Sequence, residues 1–222
     1  MNKRKTKKYF KTDDLKKCSR FWIILFKTIL SKLYHWKIYV VGSVEYQYPN
    51  HLFQAGYFLD KKYYDENTID FKHLLLSEKN QSLLKDIQNS NSVGVHIRRG
   101  DYMTKQNLVI FGNICTQKYY HDAIRIITEK VNDAVFYVFS DDISWVQTHL
   151  DIPNAVYVNW NTGESSIYDM YLMSSCKYNI IANSTFSYWA ARLNKKTNMV
   201  IYPSKWYNTF TPDIFPESWC GI

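Results

Sequence analysis

Two arginines, a glycine and an aspartate stand directly after a short apolar run, as Arg98-Arg99-Gly100-Asp101. The run itself, Val93–Ile97, is rich in β-branched residues and predicts a buried strand. An arginine at the end of a buried strand needs an anion, and its planar fork pairs bidentately with phosphate or carboxylate. Gly100 lets the backbone turn sharply or approach a ligand closely. The motif therefore predicts an anion clamp, or alternatively an ion pair of Arg98 or Arg99 with Asp101 that closes a turn.

A second polar cluster, Asn183-Ser184-Thr185, lies between a predicted strand and a predicted helix. Its hydroxyl, amide and free N–H groups would meet at the positive end of the helix dipole, which favours phosphate. The same residues would also serve as an ordinary helix N-cap. Both interpretations stay open from the residues alone.

Asp141 and Asp142 form a third cluster, again after a predicted strand. They could hold a metal, accept hydrogen bonds from a nucleobase, or cap the helix that starts at Ile143. A divalent metal usually needs a second oxygen-rich segment, and no second carboxylate cluster is obvious in the sequence. His96, near the end of the first strand, is either a core histidine or a hydrogen-bond donor to a ligand.

The elements that must position these clusters alternate regularly after residue 92. Short apolar strands followed by helical patterns predict an α/β fold, with right-handed crossovers, a parallel sheet and helices on both faces. Ligands bind such sheets outside the carboxyl ends of the strands, where all three clusters fall. A long loop is predicted between Ile97 and the N-cap residue Thr116. The other predicted strands are Ala134–Phe139, Ala155–Val158, Tyr178–Ala182 and Met199–Tyr202; the predicted helices are 116–132, 143–150, 165–175 and 186–193, with an earlier helix beginning at Ser77.

The net charge of +8 is concentrated at the N-terminus. Residues 1–40 contain 12 Lys and Arg but only Asp13 and Asp14, so the other 182 residues hold 16 basic and 18 acidic side chains. A basic arm on a near-neutral domain argues against nucleic acid as the main partner and favours an anionic surface. Residues 21–37 resemble an amphipathic basic helix that packs on the protein or lies on a membrane.

The sequence predicts an intracellular location. Within the apolar stretch Phe21–Val41 the longest charge-free run, Phe21–Phe26, has six residues, too short for a signal peptide or a membrane span. The four cysteines are far apart in sequence and predict neither a zinc site nor a disulfide framework. We therefore expect a cytoplasmic protein, or one held on the inner face of the membrane by its basic N-terminus.

The motif His96–Tyr102 resembles the signature of the α-1,2-fucosyltransferases of glycosyltransferase family 11. The similarity runs in order from Gly56 to the C-terminus, through the segments 112–115, 139–142, 169–174, 181–189 and 203–206. It implies a GT-B architecture of two Rossmann-like domains, GDP-fucose as donor and a terminal galactose as acceptor. It also implies an inverting reaction with no metal and no other cofactor.

The resemblance assigns roles to individual residues. Arg98 would bind the β-phosphate and stabilise the departing GDP, while His96 and Asp142 would lie against the nucleoside. An inverting transfer needs a base near the acceptor hydroxyl, and Asp101 is the nearest candidate, unless it positions Arg98 instead. The residues implied to line the pyrophosphate are Asn183, Ser184 and Ser187.

Members of this family begin with a glycine-rich segment of the type G-G-L-G-N-Q-x-F-Q-Y-A, and residues 1–20 do not resemble it. We therefore expect a short member of the family, with a basic arm (1–20), a mainly helical and incomplete acceptor-side domain (21–92) and a complete Rossmann-like donor domain (93–222). The predicted activity is transfer of fucose to the 2-hydroxyl of galactose. The alternatives are a GDP-sugar-binding remnant without catalysis and a membrane-surface interaction module.

Overall fold

The computed structural model describes residues 70–222 and three short strands before them, β1 (Phe10–Lys11), β2 (Tyr39–Val41) and β3 (Phe53–Ala55). The chain forms two compact units. The smaller unit contains β2 and β3, which pair in parallel, and the larger one contains Asp70–Thr211 and Pro216–Ile222. Most of the predicted basic arm, and the whole of the amphipathic helix at 21–37, lie outside the described residues. The division into arm, acceptor-side remnant and donor domain stays a prediction.

A six-stranded parallel sheet forms the centre of the larger unit. The short strand β4 (Asp70–Phe71) precedes this sheet in the chain and is not part of it. The six strands of the sheet are β5 (Asn91–Ile97), β6 (Ala134–Ser140), β7 (Ala155–Val158), β8 (Tyr178–Ile180), β9 (Met199–Tyr202) and β10 (Cys220–Gly221). Their spatial order is β7-β6-β5-β8-β9-β10. This is the order of doubly wound dinucleotide-binding sheets, which places a topological switch point, and hence a ligand crevice, between β5 and β8.

Six α-helices and two 3₁₀ turns connect these strands. The N-cap residues Ser77, Thr116 and Asp142 accept hydrogen bonds from the backbone N–H groups three residues later, as the sequence predicts. The α-helices are α1 (Glu78–Asn89), α2 (Lys105–Phe111), α3 (Gln117–Lys130), α4 (Ile143–His149), α5 (Ser166–Met173) and α6 (Thr185–Arg192); the 3₁₀ turns are Gly100–Met103 and Gly163–Ser165.

The side chains of β5 point alternately to the two faces of the sheet, and they are buried on both faces. On one face, Val93 and Val95 pack in a cluster with Ala123 and Ile127 of α3. On the other face, α1 and α5 contact β5, and Asn179 of β8 donates a hydrogen bond of 3.0 Å to a carbonyl at the end of α5. Each fully buried aliphatic side chain contributes about 1.5–3 kcal/mol, so this packing fixes the ends of the strands.

The predicted α/β fold with a Rossmann-like parallel sheet is confirmed, and one predicted detail, the long loop after Ile97, is wrong. The segment expected as a long loop contains a 3₁₀ turn and α2, and a sixth strand, β10, follows the last predicted strand. Helix α2 has the sequence KQNLVIF, in which the four apolar residues are consecutive, a pattern that a short helix shares with a strand, and none of its residues is buried. The helix is capped by Thr104, whose hydroxyl accepts a hydrogen bond from the Asn107 N–H. The side-chain amide of Asn107 also donates to the Asp101 carbonyl oxygen at 2.9 Å.

In the residues that the structure describes, we find no helix with both the length and the apolar character needed to cross a membrane.

Candidate functional site

A cavity of about 460 Å³ opens at the carboxyl ends of β5, β6 and β7. Because parallel strands end at the same edge, residues far apart in sequence meet there. His96 and Arg98 enter it from β5, and Phe186 enters it from the first turn of α6 across the switch point. The remaining lining residues are Phe139, Ser140, Asp141, Ile143, Val158, Asn159, Asn161, Thr162, Gly163, Ser166 and Asp169.

Arg98 lies between two carboxylates. Its Nη2 is 2.6 Å from Asp101 Oδ1, and its Nη1 is 2.7 Å from Asp141 Oδ2. The Arg98–Asp101 ion pair considered in the sequence analysis is therefore present, with a second partner that the sequence did not indicate. The side chain of Asp101 is 57% exposed and that of Asp141 is 28% exposed, so Asp101 is the partner more open to exchange with solvent or a ligand.

Asp141 also holds the backbone after the arginine. Its Oδ1 accepts a hydrogen bond of 2.9 Å from the Arg99 N–H. A Cβ atom at position 100 would lie 2.5 Å from Asp141 Oδ2, well inside van der Waals contact. Gly100 is thus required for the close approach of this carboxylate rather than for an unusual turn.

Arg99 turns away from the cavity at the end of β5. Its Nε lies 3.2 Å from Asp142 Oδ2, and its guanidinium lies 3.6 Å from the centre of the Trp145 ring. Asp142 Oδ1 meanwhile accepts from the Trp145 N–H at 3.1 Å as the N-cap of α4. The capping role considered for Asp142 is therefore present, and its predicted contact with a nucleoside stays a prediction.

His96 is a buried ring in the wall of the cavity. It packs on Phe186 with ring centroids 5.1 Å apart. Burial, and then the charge of Arg98, lower its pKa to about 3, so the ring is neutral at neutral pH. Its Nδ1 is buried without a hydrogen-bond partner among the described residues. An unpaired buried polar atom beside a cavity is typical of a group that a ligand completes.

Asp169 is a cavity residue to which the sequence analysis assigned no role. Burial raises its pKa to about 7, against the opposing effect of a 2.7 Å hydrogen bond from Asn161 Nδ2. Asn161 is paired in turn with buried Asn80 at the start of α1, which also accepts from Trp160 Nε1 at 2.7 Å. Only the family-like segment 169–174 pointed to this region, because an aspartate within a helical pattern carries no local signal of its own.

Most polar groups of the cluster at the start of α6 already make hydrogen bonds within the protein. Asn183 Nδ2 donates to the carbonyl oxygens of Phe111 and Trp206, at 3.2 and 3.1 Å. Ser184 is the N-cap and accepts from the Phe186 N–H. The fully buried hydroxyl of Ser187 accepts from the Ala182 N–H at 3.2 Å, and its single proton is shared between the carbonyl oxygens of Ala182 and Ser184, both at 3.3 Å. Their predicted contacts with a pyrophosphate stay a prediction.

A second cavity, of about 220 Å³, lies on the other side of the arginine motif, and Arg98 alone lines both cavities. Buried Asn183 is part of its wall, whereas Ser184, Ser187, Asp101 and Asp142 line neither cavity. The structure therefore brings three predicted residues to cavities, namely His96, Arg98 and Asn183. Within residues 70–222, no group of three His, Cys, Asp or Glu side chains is placed to hold a metal ion.

The strand order defines an α/β protein with a doubly wound parallel sheet, and Arg98 lies at the switch point of that sheet. The model of one family, glycosyl transferase family 11, matches residues 11–222. The chain belongs to this family, as its motifs predict.

Several curated proteins are similar to parts of the chain. An α-1,2-colitosyltransferase of Escherichia coli is 35% identical over 196 residues, covering 82% of this chain and 63% of that protein. The O-antigen biosynthesis glycosyltransferase WbnK of Escherichia coli is 44% identical over 122 residues, covering 54% and 40%. Galactoside α-(1,2)-fucosyltransferase 2 of Pongo pygmaeus is 28% identical over 163 residues, covering 68% and 48%. The chain thus spans 40–63% of the length of these relatives.

Among solved structures, the fucosyltransferase NodZ from Bradyrhizobium is similar at 14% identity with a TM-score of 0.43, covering 82% of this chain and 60% of that one.

Proposed function

We propose that this protein transfers L-fucose from GDP-fucose to the 2-hydroxyl of a terminal galactose, with inversion and without a metal. The family of the chain supports glycosyl transfer, and the name of the primate relative supports this linkage. The observation that carries the proposal is the position of Arg98 and His96 in a cavity at the switch point of the sheet. This is where such sheets bind nucleotides.

Arg98 is the group proposed to receive the diphosphate. Each terminal nitrogen donates one of its two N–H groups to a carboxylate, and a phosphate oxygen that takes over one of these contacts displaces that carboxylate. Asp101 is the more exposed partner, while Asp141 is held by a further hydrogen bond to the backbone. The diphosphate would therefore take the place of Asp101 on Nη2, and Asp141 would keep Nη1 in position.

This exchange releases Asp101 for the chemical step. The oxygen of the acceptor hydroxyl attacks the anomeric carbon of fucose, and the bond from that carbon to the phosphate oxygen breaks. Asp101 takes the proton of the hydroxyl, and GDP leaves with the new charge next to the Arg98 guanidinium. A fixed cation at the developing charge lowers the barrier without a metal ion.

The similarity to an α-1,2-colitosyltransferase, 35% identical over 82% of the chain, favours colitose as a second candidate for the transferred sugar. Nucleoside-diphosphate donors of the two sugars would place the same diphosphate on Arg98. They differ in the sugar, so a direct comparison of the two in one transfer assay decides between them.

The test is calorimetric binding of GDP and GDP-fucose, with a transfer assay to lactose in the same preparation. We expect binding and transfer, both retained with EDTA, and a GDP affinity about 10- to 150-fold weaker in Arg98→Ala, since hydrogen bonds to a charged group are lost. Arg125→Ala, an exposed arginine of α3 that pairs with Glu129, is the matched control. Unchanged affinity in Arg98→Ala would contradict the assignment, and binding without transfer would favour the GDP-sugar-binding remnant. A membrane-surface module instead predicts lipid binding that is lost without residues 1–20.

A further inference from the structure

We propose that Trp160 and Asn80, which line neither of the two cavities, are positioning residues that orient Asp169 in the larger cavity through a hydrogen-bond chain of fixed direction. The chain holds the charged form of this carboxyl group and thereby makes the binding of a nucleotide sugar depend on pH. The effect on binding rests on the proposed function, which places GDP-fucose in this cavity. The direction of the chain does not rest on it, and it is tested without a ligand.

Trp160 sets the direction of the chain. An indole N–H can only donate, so the atom that lies 2.7 Å from Trp160 Nε1 is the side-chain oxygen of Asn80. The amide nitrogen of Asn80 then faces Asn161 and donates to its Oδ1 at 2.9 Å. The amide nitrogen of Asn161 in turn donates to Asn80 Oδ1 at 3.1 Å and to Asp169 Oδ1 at 2.7 Å. Neither amide can turn over without breaking the contact before it.

The chain decides which oxygen of Asp169 carries a proton. Both N–H groups of the Asn161 amide are in use, and the one that faces Asp169 always donates. Asp169 Oδ1 is therefore an acceptor in either charge state, and a proton on the carboxyl group lies on Oδ2. The carboxyl group makes no second hydrogen bond with the described residues. Oδ2 is thus the oxygen that is left for a ligand or for solvent.

The amide of Asn161 is the polar contact that favours the charged form of Asp169. Burial raises the pKa of Asp169 to about 7, and the hydrogen bond from Asn161 opposes this rise. The elements that pack against α5 are α1, α6, β5 and the 3₁₀ turn Gly163–Ser165. Their charged and titratable groups, none of which forms an ion pair with Asp169 in the described structure, are Glu78, Lys79, Lys85, Asp86, His96, Glu164 and Arg192.

The charge of Asp169 matters for an anionic ligand. Arg98 and Asp141, which also line the cavity, form an ion pair with each other, and the buried ring of His96 is neutral at neutral pH. An ionised Asp169 therefore gives the wall a net negative charge. The diphosphate of a nucleotide sugar is an anion too, and like charges disfavour each other in a partly buried site. We therefore expect tighter binding when Asp169 is protonated, and weaker binding as the pH rises through 7.

The first experiment follows Asp169 in the ligand-free protein. Carbon-13 NMR of protein labelled at the aspartate carboxyl carbons gives the titration midpoint of each aspartate, and the signal of Asp169 is the one that Asp169→Asn lacks. Trp160→Phe keeps an aromatic ring under the ammonium group of Lys79 but removes the N–H that directs the chain. The amides can then turn over and present an oxygen to Asp169, which favours its protonated form.

We expect the midpoint of Asp169 to lie about 1 pH unit higher in Trp160→Phe than in wild type, the size expected for one hydrogen bond to a charged group. Asn80→Ala removes the middle of the chain and should give the same shift. Trp145→Phe is the matched control: the Trp145 indole N–H makes no hydrogen bond with the described residues and its ring packs on Arg99, so the midpoint of Asp169 should not move.

The second experiment measures the binding of GDP-fucose by calorimetry from pH 5.5 to pH 8.5, without an acceptor. The diphosphate of a nucleotide sugar does not titrate in this range. We expect the affinity of wild type to fall about 10-fold across the midpoint of Asp169, and that of Trp160→Phe to fall as much at about 1 pH unit higher. The affinity of Asp169→Asn should not change with pH.

An unchanged midpoint of Asp169 in both Trp160→Phe and Asn80→Ala would overturn the positioning role. An affinity that does not depend on pH in wild type, or one that keeps the wild-type dependence in Asp169→Asn, would overturn the link to binding. If GDP-fucose does not bind at any pH while the midpoint shifts in Trp160→Phe, the positioning role stands and the proposed donor is refuted instead.

Discussion

Asp141 Oδ2 lies 2.7 Å from Arg98 Nη1, while the other oxygen of the same carboxylate accepts from the Arg99 N–H at 2.9 Å. One side chain from the end of β6 therefore fixes both the guanidinium of Arg98 and the backbone that follows it. The register of the sheet makes this possible, because Ile97 at the end of β5 lies opposite Ser140 at the end of β6. Asp141 is thus a positioning residue for the proposed diphosphate contact.

Asp141→Asn should lower the transfer rate without unfolding the protein. The amide can still accept from Arg99 N–H, but it no longer holds the charge of Arg98, and a misplaced contact costs as much as about 100-fold in rate. The loss of a partly exposed ion pair costs stability only about 1 kcal/mol or less. The measurement is the steady-state rate with GDP-fucose, beside thermal unfolding. Asp122→Asn, which loses its contact with Lys118 on α3, is the control; equal rates in the two variants would contradict the role of Asp141.

Gly100→Ala should reproduce the effect of Asp141→Asn. The added methyl group would stand 2.5 Å from Asp141 Oδ2, so the carboxylate must move away from Arg98. Because both changes act on one contact, the double variant should be little slower than either single variant. The four transfer rates form a double-mutant cycle. Independent, multiplying effects would show that Gly100 acts through something other than Asp141.

Much of this architecture is readable from the sequence, because its signals are local. The β-branched strand at Val93–Ile97 and the caps at Ser77 and Thr116 depend on neighbouring residues, and the structure has them as predicted. The carboxyl-edge position of Arg98 follows from the alternation of strands and helices. Helix α2 was not predicted because it is short and its four apolar residues, 108–111, are consecutive rather than at helical spacing.

The pairing of side chains between neighbouring strands was harder to predict from the sequence. The choice of Asp141 over Asp142 as the partner of Arg98 depends on strand register, and no local pattern separates two adjacent aspartates. The network of Asn80, Asn161 and Asp169 joins three segments up to 89 residues apart. Such contacts are decided by tertiary packing, which the sequence specifies only as a whole.

Ser187→Ala separates a structural role from a ligand contact. The Ser187 hydroxyl accepts from Ala182 N–H and donates within the same loop, and it is fully buried. Its removal should lower the free energy of unfolding by about 1–3 kcal/mol, since the Ala182 N–H loses its partner. GDP affinity, measured by calorimetry on the folded variant, should be unchanged. Weaker GDP binding at unchanged stability would instead support the predicted contact with the pyrophosphate.

The last prediction concerns two groups in the larger cavity whose pKa values move in opposite senses. The pKa of His96 falls from 6.5 to about 3, so the folded protein binds fewer protons than the unfolded chain between these values. Its contribution to stability is complete above pH 6.5 and is lost as the pH falls toward 3. The pKa of Asp169 rises from 3.8 to about 7, so its contribution is complete below pH 3.8 and is lost as the pH rises to 7.

Between pH 5 and pH 7 each group changes the free energy of unfolding by about 2 kcal/mol, with opposite sign, so the two nearly cancel. Relative to wild type, His96→Gln should therefore gain about 2 kcal/mol at pH 5 compared with pH 7, and Asp169→Asn should lose about as much. Urea unfolding at pH 5, 6 and 7 measures both differences. Gln106→Ala, at an exposed and uncharged residue of α2, is the control. If His96→Gln and Asp169→Asn both keep the wild-type profile, neither cavity group titrates as its burial requires.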